Sequence, residues 1–319
     1  MGSIDVHRSL EQDCVCQCIG TQMYIKRFRC ILNSFTLAIK LILREHMNRR
    51  ITVPARINII GEHTDYSGGL SLPFAVNSFL VLEIIDIKQG YFGDRNVISL
   101  WKEVGGWPAR LKVKSDIPIG KGLSSSAALC IAIVIGKYGD IDPLKVCKEA
   151  QRIEQKILGT NCGLLDQMAI MFAIKNKMTM INFNDNSIVH HNIPHEWKFK
   201  LIDSGIERSL NETEYNCNNR IIKSHVIEEN LRVKMALNAS PSELGKLLNE
   251  SHSSLIKLGV SLPSIDKMVN KIQNKKGVLG ARMMGGGFGG MILVLVESEE
   301  ILTGDLLISS GPPFFEKIL

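Results

Sequence analysis

The sequence predicts an α+β fold in two domains. Its 319 residues exceed the size of an average domain, so the chain is long enough to form two hydrophobic cores. Short apolar runs separated by turn signals such as Gln89-Gly90 and Gly105-Gly106 predict strands. Longer stretches with apolar residues every three or four positions predict helices. We place the domains at residues 49–196 and 197–319, after a divergent leader and an amphipathic helix in residues 1–48.

These two patterns give the elements in chain order. Helical spacing from Phe28 to Ile42 predicts an amphipathic helix, for which a basic organelle-targeting helix is the alternative. The predicted strands are Ile51–Ile60, Phe79–Ile87, Val97–Leu100, Ala109–Val113, Lys177–Ile181, Phe199–Ile202 and Met291–Val296. The later predicted helices are Ala127–Ile135, Asp142–Leu158, Met168–Phe172, Thr213–Leu237, Ser240–Leu258 and Leu262–Ile272. Asp142 followed by Pro143 is a typical helix start.

Composition and charge narrow the class of protein and of ligand. The chain is 45% hydrophobic and 22% charged, which is ordinary for a globular protein. A formal net charge of +6 favours an anionic ligand such as a nucleotide. Because the basic residues are scattered, a nucleic-acid partner is not expected. No stretch approaches about 20 apolar residues, and the first residues lack the layout of a secretion signal. We therefore expect a cytoplasmic monomer with no membrane partner.

Three of the eight cysteines stand close together near the start of the chain. Cys14, Cys16 and Cys18 form a C-x-C-x-C run. A tetrahedral metal site there would need a second cluster, and the sequence contains none. The other five cysteines are isolated, and we expect them to be reduced, as in cytosolic proteins.

A serine-rich loop occupies Asp116 to Ile133 and reads DIPIGKGLSSSAALCIAI. Gly120 and Gly122 allow a backbone to approach an anion closely, and the free N–H groups of the following helix attract phosphate. The hydroxyls of Ser124–Ser126 are oxygen ligands suited to Mg²⁺. The alternative is a serine N-cap that opens a buried helix. From these residues alone the two interpretations are equally well supported, and a P-loop is excluded because the Gly-Lys-Ser/Thr ending is missing.

Two further stretches contain candidate ligand-binding residues. PARINIIGEHTDYSGGLSLP spans Pro54 to Pro73, and GARMMGGGFGG spans Gly280 to Gly290. Glu62, His63 and Asp65 place acceptors and a donor within four positions of a turn, as a hydroxyl-rich ligand requires. A polar loop without a ligand is the alternative for the first stretch, and a tight left-handed connection is the alternative for the second.

Together and in this order, the three stretches resemble the motifs of the GHMP small-molecule kinases. Within that superfamily the chain resembles the galactokinases, because of Arg56, Asn58, Gly61–His63, Asp65-Tyr66 and Leu72-Pro73. The resemblance runs from about Ile51 to Val296. It implies an N-terminal mixed-sheet domain, a ferredoxin-like C-terminal domain, and transfer of the γ-phosphoryl group of ATP to the anomeric hydroxyl of galactose.

The resemblance also implies residue roles. Asp166, in the run Cys162-Gly-Leu-Leu-Asp166-Gln167, matches the catalytic carboxylate, with Arg56 as its cationic partner. Without the resemblance, the alternative for Asp166 is a helix N-cap. The alternative for Glu154 is a solvated residue on the surface of a helix. The implied ATP site is Gly120, Lys121, Gly122, Leu123, Ser124, Ser125, Ser126 and Ala127, with Mg²⁺ on Ser126 and Glu154. The implied sugar site is Glu62, His63, Asp65, Gly163 and Tyr215, and the supporting loop is Gly285, Gly286 and Gly287.

The chain departs from the family pattern in four places. Ala55 and Met284 replace a glycine and a small hydroxyl residue. The interval from Pro73 to Gly120 is expected to be too short for the helical segment that helps to form the adenine pocket of the family. Trp101 and Trp107 either stack on the base in its place or pack in the core. The tail from Ile301 does not match, which predicts an open sheet edge.

Three alternatives to a galactose kinase follow. The first is a kinase for a related sugar, namely N-acetylgalactosamine, arabinose or a uronic acid. The second is a catalytically silent sensor of galactose and ATP. The third is an inactive, truncated product.

Overall fold

The computed structural model describes residues 48–206 and 219–318. The helix predicted at Phe28–Ile42, the cysteine run at 14–18, the start of the helix predicted from Thr213, and Tyr215 lie outside the described residues.

The largest sheet has five strands in the order β11-β1-β3-β5-β4. Its strands are β1 (Asn48–Asn58), β3 (Pro73–Asp86), β4 (Tyr91–Phe92), β5 (Ala109–Ser115) and β11 (Phe314–Ile318). The pairs β11-β1, β1-β3 and β3-β5 are antiparallel, whereas β4 is parallel to β5. A bulge between Pro54 and Ala55 interrupts the β1-β3 register, and the sheet is mixed, as the sequence resemblance implied.

Two three-stranded antiparallel sheets accompany it. One has the order β8-β10-β9 and the other the order β2-β6-β7. Their strands are β2 (Leu70–Ser71), β6 (Lys177–Asn182), β7 (Ser187–Asn192), β8 (Lys198–Asp203), β9 (Val278–Met283) and β10 (Met291–Val296).

Seven α-helices lie in the part of the chain that the structure describes. They are α1 (Arg95–Glu103), α2 (Ser125–Tyr138), α3 (Pro143–Ile153), α4 (Leu165–Met171), α5 (Asn219–Ala236), α6 (Pro241–Leu258) and α7 (Pro263–Gln273). A π-helical turn, Glu154–Leu158, extends α3. Asp142 caps α3 through Lys145 N, and Ser240 forms a capping box with Glu243 at the start of α6.

Helix α2 lies at the centre of the main core. Its residues from Ala127 to Gly136 are almost all buried, and it packs against β1 and β3. A helix that is apolar on nearly every side is stable only when other elements cover it. A second buried cluster joins the end of α6 and helix α7 to β9 and β10.

The prediction of a strand at Val97–Leu100 is wrong, because this segment lies within α1. The Asp94 side chain accepts hydrogen bonds from Asn96 N and Val97 N and caps the helix. The interval from Pro73 to Gly120 therefore contains one helix of nine residues, and the expected loss of the family's adenine-pocket segment stays a prediction. Trp101 is fully buried and donates its Nε1–H to Trp107 O over 2.7 Å, which confirms the core-packing alternative for Trp101.

Strands β2, β4, β7, β9 and β11 were not predicted. The glycine turn predicted from Gly280 begins later, because Gly280 lies within β9. This glycine meets Gly245 of α6, and a Cβ placed on Gly280 would lie 2.2 Å from Gly245 O. The two glycines therefore allow helix and sheet backbones to pack closely, which is a role that no turn signal reveals.

The C-terminal tail pairs with the five-stranded sheet, whereas the open edge was predicted for the sheet of the second domain. Phe314–Ile318 forms β11 and pairs with β1. Earlier in the tail, Leu307 N donates to Phe199 O on the outer side of β8. Lys200 is buried and donates its Nζ to the carbonyls of Glu299 and Leu302. The tail thus covers the edge of β1, whereas β8 stays an edge strand of its sheet and receives one backbone hydrogen bond from the tail.

The contact between Gly245 and β9 predicts the effect of one methyl group. A Cβ on Gly245 would lie 2.2 Å from Leu279 O, a backbone atom that cannot rotate away. Alanine gains at most about 1 kcal/mol in helix propensity, whereas overpacking costs about 1–3 kcal/mol or more. We expect Gly245→Ala to lower the free energy of urea unfolding by about 1–2 kcal/mol.

Ser253→Ala is the matched control, since Ser253 is exposed on the same helix. We expect it to change the free energy of unfolding by less than about 0.5 kcal/mol. A Gly245→Ala variant as stable as the parent would contradict the close packing of α6 on β9.

Candidate active site

A cavity of about 400 Å³ brings the three sequence motifs together. Its polar lining includes four carboxylates, and among the described lining residues Arg56 is the single Lys or Arg. Of the predicted site residues, those that line it are Arg56, Glu62, His63, Asp65, Gly120, Gly122, Ser124, Ser125, Ser126, Glu154, Gly163, Asp166, Gly285 and Gly286. The sequence analysis did not single out Thr160, Asn161, Leu165 and Ile222, which also line it.

Arg56 joins the first motif to Asp166 and to the serine loop. It lies on β1 and is 3% exposed. Its Nε lies 2.8 Å from Asp166 Oδ1, to which Nη2 also donates, and its Nη1 lies 2.6 Å from Gly122 O. Asp166 stands in the first turn of α4, whose N-cap residue is Leu164, so the N-cap alternative is wrong. A negative charge at this end of a helix is favourable, and its hydrogen bonds to a guanidinium are charge-assisted.

The serine loop opens directly into α2. Gly120, Gly122 and Ser124 all have φ between 64° and 81°, in the left-handed region. Ser124 occupies the N-cap position, but its side chain makes no capping bond. Its Oγ is buried and has no hydrogen-bond partner among the described residues. The serine N-cap alternative is therefore wrong for this side chain, and the unpaired hydroxyl lies at the cavity beside the first N–H groups of a 14-residue helix.

Four of the predicted site residues, Lys121, Leu123, Ala127 and Gly287, do not line the cavity. They contact other parts of the protein instead. Lys121 pairs with Asp203 over 3.0 Å, and its carbonyl accepts from Met291 N. Leu123 and Ala127 are buried in the main core. Gly287 has φ 93° and packs against Val260 O, where a Cβ would lie 2.3 Å from that oxygen.

Glu154 is buried at 1% exposure, so the solvated-residue alternative is wrong. Its Oε1 accepts from Ser126 Oγ over 2.7 Å and its Oε2 accepts from Gln167 Nε2 over 2.8 Å. No ion pair of the described residues includes Glu154, and burial raises its pKa to about 7. A buried carboxylate beside a serine hydroxyl fits Mg²⁺, which is typically held by one or two carboxylates together with substrate phosphates.

Glu62 is paired with a buried arginine and with a backbone N–H group. It is 3% exposed, and its Oε1 accepts from Arg282 Nη2 over 3.0 Å and from Gly285 N over 2.7 Å. Burial alone would raise its pKa, but Arg282 and Arg56 outweigh burial, and the pKa of Glu62 falls to about 2. The sequence analysis missed Arg282, although it lies inside the third motif as the arginine of Gly280-Ala-Arg282.

Asp65 explains why residue 163 is a glycine. A Cβ on Gly163 would lie 1.8 Å from Asp65 Oδ2, and the same oxygen accepts from Leu165 N over 3.3 Å. Burial, and then the neighbouring charge of Asp166, raise the pKa of Asp65 to about 6. His63 adopts φ 57° and contacts Tyr66 OH through Nδ1, which completes the polar turn beside Asp65.

The two departures within the motifs do not alter the lining. Ala55 is fully buried, and its φ is not positive, so its methyl is accommodated without backbone strain. Met284 is also fully buried and packs in the main core. Neither residue lines the cavity.

Comparisons with known families agree with the geometry. Residues 95–173 match the family of GHMP kinases N terminal domains, and residues 233–302 match the GHMP kinases C terminal family. Residues 44–84 match the galactokinase galactose-binding signature.

Curated relatives cover most of the chain. The galactokinase of Thermotoga maritima is 32% identical over 312 residues, which is 77% of this chain and 89% of that protein. The galactokinase of Thermosipho africanus is 31% identical over 315 residues, covering 77% and 88%. The galactokinase of Actinobacillus pleuropneumoniae is 30% identical over 334 residues, covering 79% and 86%.

Solved structures share the fold. Lactococcus lactis galactokinase complexed with galactose superposes with a TM-score of 0.72 at 22% identity, covering 89% of this chain and 99% of that one. Methanococcus jannaschii mevalonate kinase superposes with a TM-score of 0.56 at 19% identity, covering 81% and 93%. These likenesses confirm the predicted α+β GHMP kinase fold. Within the described residues, no helix combines the length and the apolar character needed to span a membrane.

The buried pair of Glu62 and Arg282 predicts a pH-dependent loss of stability. The pKa of Glu62 is about 2 in the folded protein against its usual 4.5, so its contribution is complete above pH 4.5 and is lost as the pH falls towards 2. Without the Arg282 cation, burial penalises the ionised carboxylate, and this penalty fades as the pH falls. We expect Arg282→Met to lower the free energy of unfolding by about 3–5 kcal/mol at pH 7 and by less at pH 4, measured by urea unfolding.

Arg152→Met is the matched control, because Arg152 is 44% exposed and pairs with Glu103 and Glu149 at the surface. We expect it to cost no more than about 1 kcal/mol. A deficit for Arg282→Met that grows between pH 7 and pH 4 would contradict the assigned ion pair.

Proposed function

The chain belongs to the galactokinase family of GHMP kinases, and we propose that it transfers the γ-phosphoryl group of ATP to the anomeric hydroxyl of galactose. The observation that carries the proposal is the pair of Arg56 and Asp166 in one cavity with the serine loop and the Glu62–Asp65 turn. A phosphoryl donor site, an acceptor site and a carboxylate between them are what the reaction requires.

We assign Asp166 to the acceptor hydroxyl. The sugar oxygen forms a bond to the γ-phosphorus, the bond from that phosphorus to the β,γ-bridging oxygen breaks, and ADP leaves. Asp166 accepts or orients the hydroxyl proton as the oxygen attacks. Arg56 holds Asp166 through Nε and Nη2, so the carboxylate has a fixed orientation, and its positive charge lies beside the transferred phosphoryl group.

The phosphates of ATP are assigned to the serine loop. The N–H groups at the start of α2 and the unpaired Ser124 hydroxyl supply donors to phosphate oxygens. Ser126 and Glu154 are the proposed Mg²⁺ ligands. When bound, Mg²⁺ neutralises negative charge on the β- and γ-phosphate oxygens.

The sugar is assigned to Glu62, His63, Asp65 and Gly163, together with Tyr215, which lies outside the described residues. Carboxylates and an imidazole pair with hydroxyl groups, and each buried sugar hydroxyl needs such a partner. The cavity volume of about 400 Å³ lies within the range of small-molecule sites.

We also propose a cytoplasmic location. Cys130, Cys147 and Cys162 are free thiols, as expected in a reducing compartment. The monomeric state and the domain boundary near residue 196 stay predictions.

Removing the charge of Asp166 tests the mechanism. We expect Asp166→Asn to lower galactose-dependent ADP release from ATP by about 10²- to 10⁴-fold, which is the usual contribution of a general base. The change keeps the shape of the side chain, so the thermal unfolding temperature should stay close to that of the parent. The measurement is a coupled ADP-release assay. Asp185→Asn is the matched control, because Asp185 lies in an exposed turn and bonds Ser187 N.

The same assay separates the alternatives. Faster turnover of N-acetylgalactosamine, arabinose or a uronic acid than of galactose would replace the proposed substrate. Binding of galactose and ATP without ADP release would identify a sensor. Turnover by Asp166→Asn at the parental rate would remove Asp166 from its assigned role.

A further inference from the structure

We propose that α5 positions the sugar-binding turn: His225, Glu229 and Asn230 hold the backbone of residues 61–70 and thereby set the affinity for the sugar. None of the three lines the cavity. They are therefore positioning residues, and their role in sugar binding depends on the function proposed above.

Glu229 fixes the start of the turn. It is fully buried, and its Oε2 accepts from Gly61 N over 2.9 Å and from Ser251 Oγ over 3.1 Å. Its Oε1 accepts from Arg232 Nε over 2.6 Å, which neutralises the buried charge. Gly61 directly precedes Glu62 and has φ 94°, in the left-handed region. The hydrogen bond from its N–H group to Glu229 therefore fixes the backbone at the point where the turn begins.

His225 holds the next residue. Its Nε2 lies 2.9 Å from Glu62 O, and its Nδ1 lies 2.8 Å from Ser254 Oγ on α6. A backbone carbonyl only accepts hydrogen bonds, so Nε2 carries a proton and donates it to Glu62 O, while the serine hydroxyl can either donate to Nδ1 or accept from it. His225 is 3% exposed, and its two bonds link α6 to the backbone of Glu62.

Asn230 holds the end of the turn. Its Oδ1 accepts from Leu70 N over 2.7 Å. A Cβ on Gly69 would lie 2.9 Å from the same oxygen, so the glycine allows the amide group to approach. Positions 225 and 229 are four residues apart and share one face of the helix, and position 230 directly follows position 229.

Both ends of the turn are thus attached to one helix, and the sugar-facing His63 and Asp65 lie between the attachments. A displacement of about 1 Å in groups that position a substrate is enough to weaken binding and turnover. Arg282 also holds this region, through Asn58 O and Ile59 O. Loss of one α5 contact is therefore expected to displace the turn and not to unfold it.

The test compares two substitutions at one position. Asn230→Leu removes the acceptor, whereas Asn230→Asp keeps an oxygen acceptor of the same shape. We expect Asn230→Leu to raise the Kd and the KM for galactose about 10-fold, since the partly buried N–H group of Leu70 loses its partner. The KM for ATP should change less than about 2-fold, and Asn230→Asp should stay near the parent. Galactose titration calorimetry and initial rates give these values.

Two further measurements separate positioning from general stability. Hydrogen exchange of the ligand-free protein should accelerate at residues 61–70 in Asn230→Leu and stay unchanged in Glu228→Gln, an exposed neighbour on the same helix. His225→Leu and His225→Gln form a second pair, in which the glutamine amide retains a donor for Glu62 O. Thermal unfolding of each variant shows whether it folds.

Each outcome has one meaning. Unchanged exchange at residues 61–70 in Asn230→Leu and in His225→Leu would overturn the attachment to α5, whatever the ligand. Faster exchange with parental galactose affinity would overturn its role in sugar binding. A parent protein that binds no galactose would overturn the proposed function, while the exchange measurement would still decide the attachment.

Discussion

The buried guanidinium of Arg282 is the interaction on which the site depends most. It donates to Asn58 O, Ile59 O, Met283 O and Glu62 Oε1, and Glu62 in turn accepts from Gly285 N. One side chain therefore fixes the end of β1, the start of the Glu62–Asp65 turn and, through Glu62, the glycine-rich loop. A fully buried ion pair is stable only when its remaining donors and acceptors are satisfied, and this one meets that condition through backbone carbonyls.

What the sequence predicted correctly depended on local signals. Asp142-Pro143 marks the start of α3, helical spacing predicts α6 from Ser240 to Leu258, and the apolar run Met291–Val296 is a strand with the predicted bounds. What it missed depended on partners far along the chain. Arg282 bonds Asn58 across 224 positions, and β11 pairs with a strand that begins at Asn48. Neither long-range contact can be predicted from the spacing of apolar and polar residues near it in the sequence.

Charge within the cavity is unbalanced. Arg56 faces four carboxylates, and the two without an ion pair, Asp65 and Glu154, have pKa values raised to about 6 and about 7 by burial. An unpaired buried carboxylate destabilises the folded state above its usual pKa. A ligand that brings hydroxyl donors to Asp65 and a cation to Glu154 would offset this cost, because both groups stabilise the ionised carboxylates.

The departures from the family pattern fall on the scaffold and leave the lining intact. Ala55 and Met284 are buried behind the cavity, and the unmatched tail pairs with β1 and bonds the outer side of β8. Had the chain lost selection for catalysis, substitutions would be expected among Arg56, Asp166 and the serine loop as readily as among these buried positions. The cavity instead retains Asp166 paired with Arg56 and an unpaired serine hydroxyl. This distribution supports a working kinase over a silent sensor, because a sensor needs the binding groups and has no use for the orientation of Asp166.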